Sequence, residues 1–251
     1  MKSIDLEVPL SLSGITLRQY QDYLRVYEKW DKKDEVYIKS KMLQIFCGLS
    51  PEDTFRVPIT SFDSTIEHLM DCLNEETPLI RHFHMDGKDK EGNDARLEFG
   101  FVPKLDDISF GEFIDLEKYM SDWQKMHKAM AVLFRPVIHK KKEFYMIDDY
   151  AGSDRYSDVM LDMPVNIAIG ATVFFYRLGR KLSLYTMDYL QEALKKKGLT
   201  PQLKQILGEN GDGINQYIHS LKEMLGDSTK LQKPVFTNVL WCWNTKKTKA
   251  I

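Results

Sequence analysis

The sequence predicts a mainly α-helical fold of the α+β class, in which a helical scaffold carries two small β-hairpins. Several stretches of the 251-residue chain place apolar residues three and four positions apart, as the buried face of a helix requires. A motif that starts helices occurs twice, and in two places a pair of short extended segments flanks a polar turn. Together these patterns predict helices at both ends of the chain and strands in its middle.

The helix-start motif is the sequence ITLRQY at residues 15–20, which recurs as ISFGEF at residues 108–113. Thr16 and Ser109 occupy the N-cap position, and Gln19 and Glu112 follow three residues later, so each copy can form a capping box. The isoleucine before each cap and the aromatic residue at the fourth helical position add a hydrophobic staple. Both copies therefore predict where a helix begins, and neither predicts a chemistry.

Three helices and a hairpin are predicted in the first part of the chain. The helices run from Leu17 to about Trp30, from Glu35 to Phe46 and from Ser61 to Leu73. Gly48 is placed to end the second helix, and Thr60 with Asp63 gives the third a weaker cap. The strands Leu79–Met85 and Arg96–Val102 flank a polar stretch that contains glycine, which predicts a hairpin with a long loop.

The second copy of the motif predicts a long helix that is followed by a second hairpin. The helix runs from Phe110 to about Phe134 and ends near Arg135, because Pro136 disfavours helical geometry at the residue before it. The hairpin strands are Val137–His139 and Glu143–Ile147, and Lys140, Lys141 and Lys142 form its turn. This lysine turn is predicted to be a solvated tip, with a contact to nucleic acid or to an acidic partner as the alternative.

From Asp154 onward the chain is predicted to be helical. Pro164 suits a first helical turn, and the pattern continues to Lys197, where Gly198 ends it. Shorter helices at Pro201–Leu207 and Ile214–Leu225 precede a C-terminal segment, Pro234–Trp243. The change of pattern near residue 150 predicts an N-terminal α+β half, residues 1–150, and a helical half, residues 151–251, with a single domain as the alternative.

The composition is typical of a soluble globular protein, with 43% hydrophobic residues, 29% charged residues and a net charge of -2. This charge argues against a general nucleic-acid binder, which would carry a basic excess. The cysteines Cys47, Cys72 and Cys242 share no close spacing, so neither a disulfide framework nor a zinc site is predicted. The N-terminus lacks a signal-peptide pattern, and the longest apolar run, Val165–Tyr176, is shorter than the roughly 20 residues of a membrane-spanning helix. We therefore expect synthesis in a reducing cytoplasm, no membrane contact and no direct contact with nucleic acid.

The sequence predicts no catalytic, cofactor-binding or metal-binding residue. His82 and His84 share a strand face and could join His68 as nitrogen ligands, but a solvated strand is the simpler interpretation. The stretch from Gly87 to Glu98 fits a calcium-loop pattern only in part, because its first position is not an acid. Five aspartates at positions 148, 149, 154, 158 and 162 could hold magnesium, although a surface connection that caps helices explains them better. The chain has no phosphate-binding glycine loop and no nucleophile elbow, so an enzyme is not expected.

The candidate protein-interaction residues are three aromatic residues and one leucine near the C-terminus: Phe236, Leu240, Trp241 and Trp243. On a helix, Phe236, Leu240 and Trp243 would share one face. A terminal helix that packs on its own core would explain this pattern. The alternative is an anchor on a neighbouring subunit, because tryptophan is enriched at the energetic centres of interfaces.

The stretch from Phe99 to Val137, FGFVPKLDDISFGEFIDLEKYMSDWQKMHKAMAVLFRPV, resembles a segment that recurs in proteins of large tailed bacteriophages, crAss-like phages among them. The opening VPLSLSGITLRQYQDYL and the stretch Met163–Tyr176 are similar to such phage proteins too, so that the resemblance covers about half of the chain.

This resemblance implies a non-enzymatic structural protein of the virion, made in the host cytoplasm. The expected role is a subunit of a homo-oligomeric ring at the neck, the head–tail connector, in contact with portal, tail or other ring proteins. A tail or capsid assembly chaperone, absent from the mature virion, is the alternative. The shared residues are caps, aromatics and core positions, so the resemblance assigns no catalytic residue.

Overall fold

The computed structural model describes residues 6–30, 34–88, 93–105, 108–142 and 144–177. The chain divides into two compact units, Met1–Thr172 and Val173–Ile251, and all the elements below lie in the first unit except the end of the last helix. The boundary near residue 150 stays a prediction, since most of the predicted second half lies outside the described residues.

The fold is mainly helical with one small antiparallel sheet, which confirms the predicted α+β class. In chain order, the elements are α1 (Leu17–Glu28), α2 (Glu35–Phe46), α3 (Pro51–Thr54), α4 (Ile59–Leu73), β1 (His82–Lys88), β2 (Asp94–Phe101), α5 (Phe110–Met120), α6 (Met126–Leu133), β3 (Phe134–Lys141), β4 (Phe144–Ile147), α7 (Asp154–Met160) and α8 (residues 165–177). None of the helices in this part of the chain is long and apolar enough to cross a membrane.

Both helix-start motifs form the capping boxes that their spacing predicts. In α1 the backbone N–H of Gln19 donates to Thr16 Oγ1 at 3.2 Å, and the backbone N–H of Thr16 donates to Gln19 Oε1 at 2.9 Å. In α5 the corresponding distances between Ser109 and Glu112 are 3.3 and 2.7 Å. Each box satisfies backbone N–H groups that have no partner within the helix.

The helices α2 to α4 follow the predicted order, with one wrong cap and one unpredicted helix. Asp34 caps α2, and Gly48, with a φ of +67°, follows its end as predicted. The short α3 is capped by Ser50, whose side chain accepts a hydrogen bond from the backbone N–H of Asp53. The predicted cap at Thr60 is wrong, because α4 already begins after Pro58, which offers no side-chain oxygen.

The long helix predicted from Phe110 to about Phe134 is wrong, because the chain breaks after Met120. Asp122 accepts a hydrogen bond from the backbone N–H of Gln124 at 2.9 Å and starts one turn of 3-10 helix, Trp123–Lys125, before α6 begins. The break positions Trp123 against the core, where its ring lies 5.1 Å from that of Tyr20 and its carbonyl accepts from Gln21 Nε2 at 2.7 Å. Local side-chain bonding and tertiary packing therefore prevail over helix propensity here.

The two predicted hairpins are present, and they join into one sheet of strand order β1-β2-β3-β4. The joining pairs are Phe99 with Pro136, Gly100 with Arg135 and Phe101 with Phe134. Strand β3 begins directly after α6, so that Pro136 lies within a strand and does not merely follow a helix. The pair α5 and α6 is thus inserted between two neighbouring strands of the sheet.

The start of α1 is attached to the connection between α7 and α8. The backbone N–H of Leu17 donates to Met163 O, and that of Val165 donates to Ile15 O, both at 2.8 Å. Ile15, Leu17 and Tyr20 at this helix start are fully buried. The helix-start motif of α1 therefore lies inside the packed part of the molecule.

Candidate protein-interaction surfaces

Helix α5 exposes three large apolar side chains along one face. Phe110, Phe113 and Ile114 are 79%, 57% and 44% exposed, and their spacing of three and four residues aligns them on the helix surface. We call these three residues the α5 ridge. Scattered exposed apolar residues are normal on proteins, but an aligned aromatic cluster is the pattern of a contact surface.

The equivalent face of α1 is buried, although both helices begin with the same motif. Leu17 and Tyr20, which correspond to Phe110 and Phe113, are at most 1% exposed. The polar Gln21 is also buried in α1, where the motif in α5 has Ile114. The first copy thus packs its apolar face into its own core, whereas the second leaves that face to solvent.

Helix α5 is fixed from beneath by an ion pair that is almost fully buried. Arg135 Nη2 of β3 donates to Glu112 Oε1 at 2.6 Å, and the two side chains are 8% and 7% exposed. The other oxygen of Glu112 accepts from the backbone and side chain of Ser109 at 2.7 and 2.6 Å. One carboxylate therefore completes the helix cap and also joins α5 to the sheet.

Tyr150 covers this ion pair on a second side. The Arg135 guanidinium lies 5.6 Å from the centre of the Tyr150 ring, within cation–π distance. The phenol of Tyr150 donates to Asp115 Oδ2 of α5. Burial and the Asp115 carboxylate raise the pKa of Tyr150, so its hydroxyl stays a donor.

The β3–β4 hairpin presents a second exposed face, which combines cations with apolar side chains. Lys141 pairs with Phe144 and His139 with Met146 in the strand register, and directly paired residues point to the same side of a sheet. Phe144 is 80% and Met146 58% exposed, and Lys142 stands at the turn with a φ of +54°. We call His139, Lys141, Lys142, Phe144 and Met146 the hairpin face.

The opposite side of this hairpin packs against β2, which anchors the backbone of the hairpin to the rest of the sheet. A Cβ built on Gly100 of β2 would come within 2.9 Å of the side chains of Tyr145 and Val137, so a larger residue there would have to displace them. The Tyr145 hydroxyl donates to Phe101 O at 2.6 Å. Lys140, on this inner side, bonds to Glu98 at 2.5 Å and lowers the pKa of that carboxyl.

The aspartates from residue 148 to 162 are dispersed among separate partners. Asp148 accepts from Arg155 at 3.0 Å and from the Tyr156 hydroxyl at 2.8 Å, and burial with this bond raises the pKa of Tyr156 to about 12. Asp154 pairs with Lys128, and Asp162 pairs with Arg18. Within the described ranges, no group of three or more histidine, cysteine or acidic side chains is arranged to hold a metal ion.

The histidines considered as ligands also have separate environments. His82 Nδ1 lies 3.1 Å from Glu98 Oε1, and its ring contacts Tyr145 edge-on. His68 Nε2 lies 2.9 Å from Pro9 O and 3.5 Å from the sulfur of Cys72. Burial raises the pKa of the Cys72 thiol, which is the opposite of what an activated nucleophile needs.

Comparison with known protein families, curated proteins and solved structures finds no match to this chain.

The sequence-predicted interaction residues Phe236, Leu240, Trp241 and Trp243 lie outside the described residues, and their role stays a prediction. The α5 ridge was missed, because the motif was interpreted only as the start of a long helix, with Phe113 as part of a hydrophobic staple. A signal for it was present. Glu112, Leu116 and Tyr119 form one stripe of α5 that is buried, and the ridge forms a second apolar stripe on another side. A helix with two such stripes needs two partners.

Proposed function

We propose that this chain is a non-enzymatic structural protein of a tailed-phage virion, a ring subunit of the neck that acts through protein–protein contacts. The observation that carries the proposal is the α5 ridge. Its three apolar side chains are exposed within Phe99–Val137, the stretch that resembles phage proteins. A surface that is both apolar and part of this stretch supports a role in contacts with other virion proteins.

The α5 ridge has enough apolar area to contribute substantially to a contact. Burial of one exposed phenylalanine side chain stabilises by about 1.5–3 kcal/mol, and the ridge offers two with an isoleucine beside them. Aromatic residues are also enriched at the centres of protein interfaces. The ridge therefore suits the centre of an interface, and its neighbours on the same helix would form the rim.

The attachment of α5 supports a binding surface that already has a fixed orientation before a partner binds. The Glu112–Arg135 ion pair and the Tyr150–Asp115 hydrogen bond fix the helix against the sheet and the segment that follows β4. A surface held in one orientation loses little conformational entropy on binding, which favours stable assembly. This rigidity is what a permanent particle component needs.

An assembly chaperone is the second candidate, and the hairpin face favours it. Phe144 and Met146 are exposed side by side, and methionine adapts its shape to different partners. A chaperone that holds tail or capsid subunits before assembly would use such an adaptable surface. It would then leave, and the finished particle would lack it.

Mass spectrometry of purified, washed virions of the phage that encodes this chain tests the proposal. A ring subunit is expected at roughly a dozen copies per particle, because a closed ring repeats its subunit by rotational symmetry. Presence of the chain in infected-cell lysate together with its absence from washed particles would exclude the structural role and favour the chaperone.

A further inference from the structure

We infer that the β3–β4 hairpin of one copy docks on the outer face of α4 of a second copy, in a head-to-tail contact. The inference rests on the proposed function in that it names the neighbouring copy and the surfaces that a ring of this chain would use. Its observations come from charges and exposure in a single compact unit, Met1–Thr172.

The hairpin face carries positive charge that no acid among the described residues neutralises. In the structure as described, Lys140 pairs with Glu98 on the inner side, whereas neither Lys141 nor Lys142 has an ion-pair partner. These two cations lie beside Phe144 and Met146, which are mostly exposed. The face is therefore a cationic rim around an apolar centre.

The outer face of α4 carries the opposite charge in a regular row. Ile59, Asp63, Glu67 and Asp71 are all exposed, and their four-residue spacing places them along one side of the helix. Within the described ranges, no cation forms an ion pair with these three acids. Ile59 is 71% exposed at one end of the row, and Phe55, just before the helix, is 82% exposed. We call Phe55, Ile59, Asp63, Glu67 and Asp71 the α4 face.

The two faces match in charge and in apolar content. Residues four apart on a helix lie about 6 Å apart, so Lys141 and Lys142 can meet acids of the α4 row while Phe144 and Met146 cover Ile59 or Phe55. The inner side of the hairpin packs on β2, and the inner side of α4 is buried, so the outward face of each element is the side that remains open within the described residues.

Because the two faces differ, the contact is heterologous, and repetition of such a contact generates a ring when the rotation closes. A hairpin-to-hairpin dimer is disfavoured, since it would bring like charges together. Nucleic acid is the weaker candidate for the hairpin face, because two free lysines would neutralise few phosphates and the chain is acidic overall.

Charge exchange in the full-length chain tests the contact. The hairpin variant carries Lys141→Glu and Lys142→Glu, and the helix variant carries Asp63→Lys and Glu67→Lys. A control variant carries Lys29→Glu and Arg96→Glu, which are exposed, lie on neither face and change the net charge as much as the hairpin variant does. Mass photometry and light scattering measure self-association across concentrations and salt, and circular dichroism checks the folding of each variant.

The wild type is expected to self-associate, more weakly at high salt, and each of the two variants alone is expected to lose about tenfold or more in affinity. The control should associate like the wild type. An equimolar mixture of the hairpin and helix variants should recover association. The hairpin of either variant then meets the α4 face of the other variant with the opposite charge.

A monomeric wild type, unchanged association of both variants, or a mixture that fails to recover would each overturn the inference. The inference would also be overturned if the wild type bound single-stranded DNA and the hairpin variant lost this binding but still self-associated. The outcome is separable from that of the virion experiment. A chain found in virions whose variants associate normally refutes only this contact. A self-associating chain absent from virions refutes only the proposed function.

Discussion

Gly170 of α8 and Gly111 of α5 differ in the space around them, so the addition of a Cβ has a different consequence at each position. A Cβ on Gly170 of α8 would lie 2.3 Å from Pro78 O, which belongs to the backbone and cannot move aside cheaply. A Cβ on Gly111 of α5 would find nothing nearer than a ring carbon of Tyr150 at 3.9 Å. Gly170 is thus required by the approach of α8 to the segment before β1, whereas Gly111 is not required by packing.

Alanine at these two positions should therefore change stability in opposite directions. Alanine favours a helix over glycine by up to about 1 kcal/mol, so Gly111→Ala should raise the free energy of unfolding by that order. In Gly170→Ala the same gain is outweighed by a clash whose relief costs about 1–3 kcal/mol, so that variant should be less stable than the wild type. Urea unfolding of both proteins measures the difference, and a Gly170→Ala variant as stable as Gly111→Ala would show that α8 is packed more loosely than described.

At the scale of elements, local patterns predict where helices and strands begin, and tertiary packing decides where they end and which side is buried. The capping boxes at Thr16 and Ser109 and the stop at Gly48 depend on neighbouring residues, and all three were predictable. The break after Met120 depends on Trp123 packing against Tyr20, a contact distant in sequence. For the same reason the sequence could not show that α1 buries its apolar face and α5 exposes it.

The surfaces themselves were only partly predictable. The turn predicted at Lys140, Lys141 and Lys142 is wrong in part, because Lys140 and Lys141 lie in β3 and pair with Tyr145 and Phe144, and Lys142 stands at the turn. The pairing of Lys141 with Phe144 on one face requires the strand register, which a bulge between Val137 and His139 shifts. The ion pair of Glu112 with Arg135 was not predictable either, because the pattern at Glu112 was already explained by the helix cap. When one side chain both caps its own helix and pairs with a residue distant in sequence, the sequence pattern indicates only the cap.

This double role of Glu112 can be separated by substitution. Glu112→Gln should keep the helix cap, since Gln19 forms the same cap in α1, but it leaves the buried guanidinium of Arg135 without a counter-charge. We expect a loss of about 3–5 kcal/mol in the free energy of unfolding, and recovery of most of it when Arg135→Met is added. Ser109→Ala, which weakens only the cap, should cost about 1 kcal/mol in the same chemical denaturation experiment. If Glu112→Gln costs no more than Ser109→Ala, the ion pair does not hold α5 to the sheet.

At the scale of the whole molecule, the two copies of the helix-start motif differ in whether their apolar face is buried or exposed. The apolar face of α1 completes the core of the chain, and the apolar face of α5 remains for a partner. The charged faces of the hairpin and of α4 add direction, since each complements the other and neither complements itself. An apolar contact supplies most of the binding energy, while charge pairs select the partner and the orientation.

Matched substitutions in the two motif copies should therefore separate folding from assembly. Replacement of Phe110 and Phe113 by serine should leave the melting temperature within the scatter of surface variants, because both side chains are mostly exposed. Replacement of Leu17 and Tyr20 at the equivalent positions should unfold the chain, since loss of one fully buried large side chain already costs about 2–5 kcal/mol. Under the proposed function, the folded ridge variant should accumulate normally in cells infected with phage that lacks the gene, yet be missing from purified particles, as mass spectrometry would show. Particles that contain the ridge variant at the wild-type level would mean that α5 faces solvent in the virion, and the contact with neighbouring proteins would then have to lie on another surface.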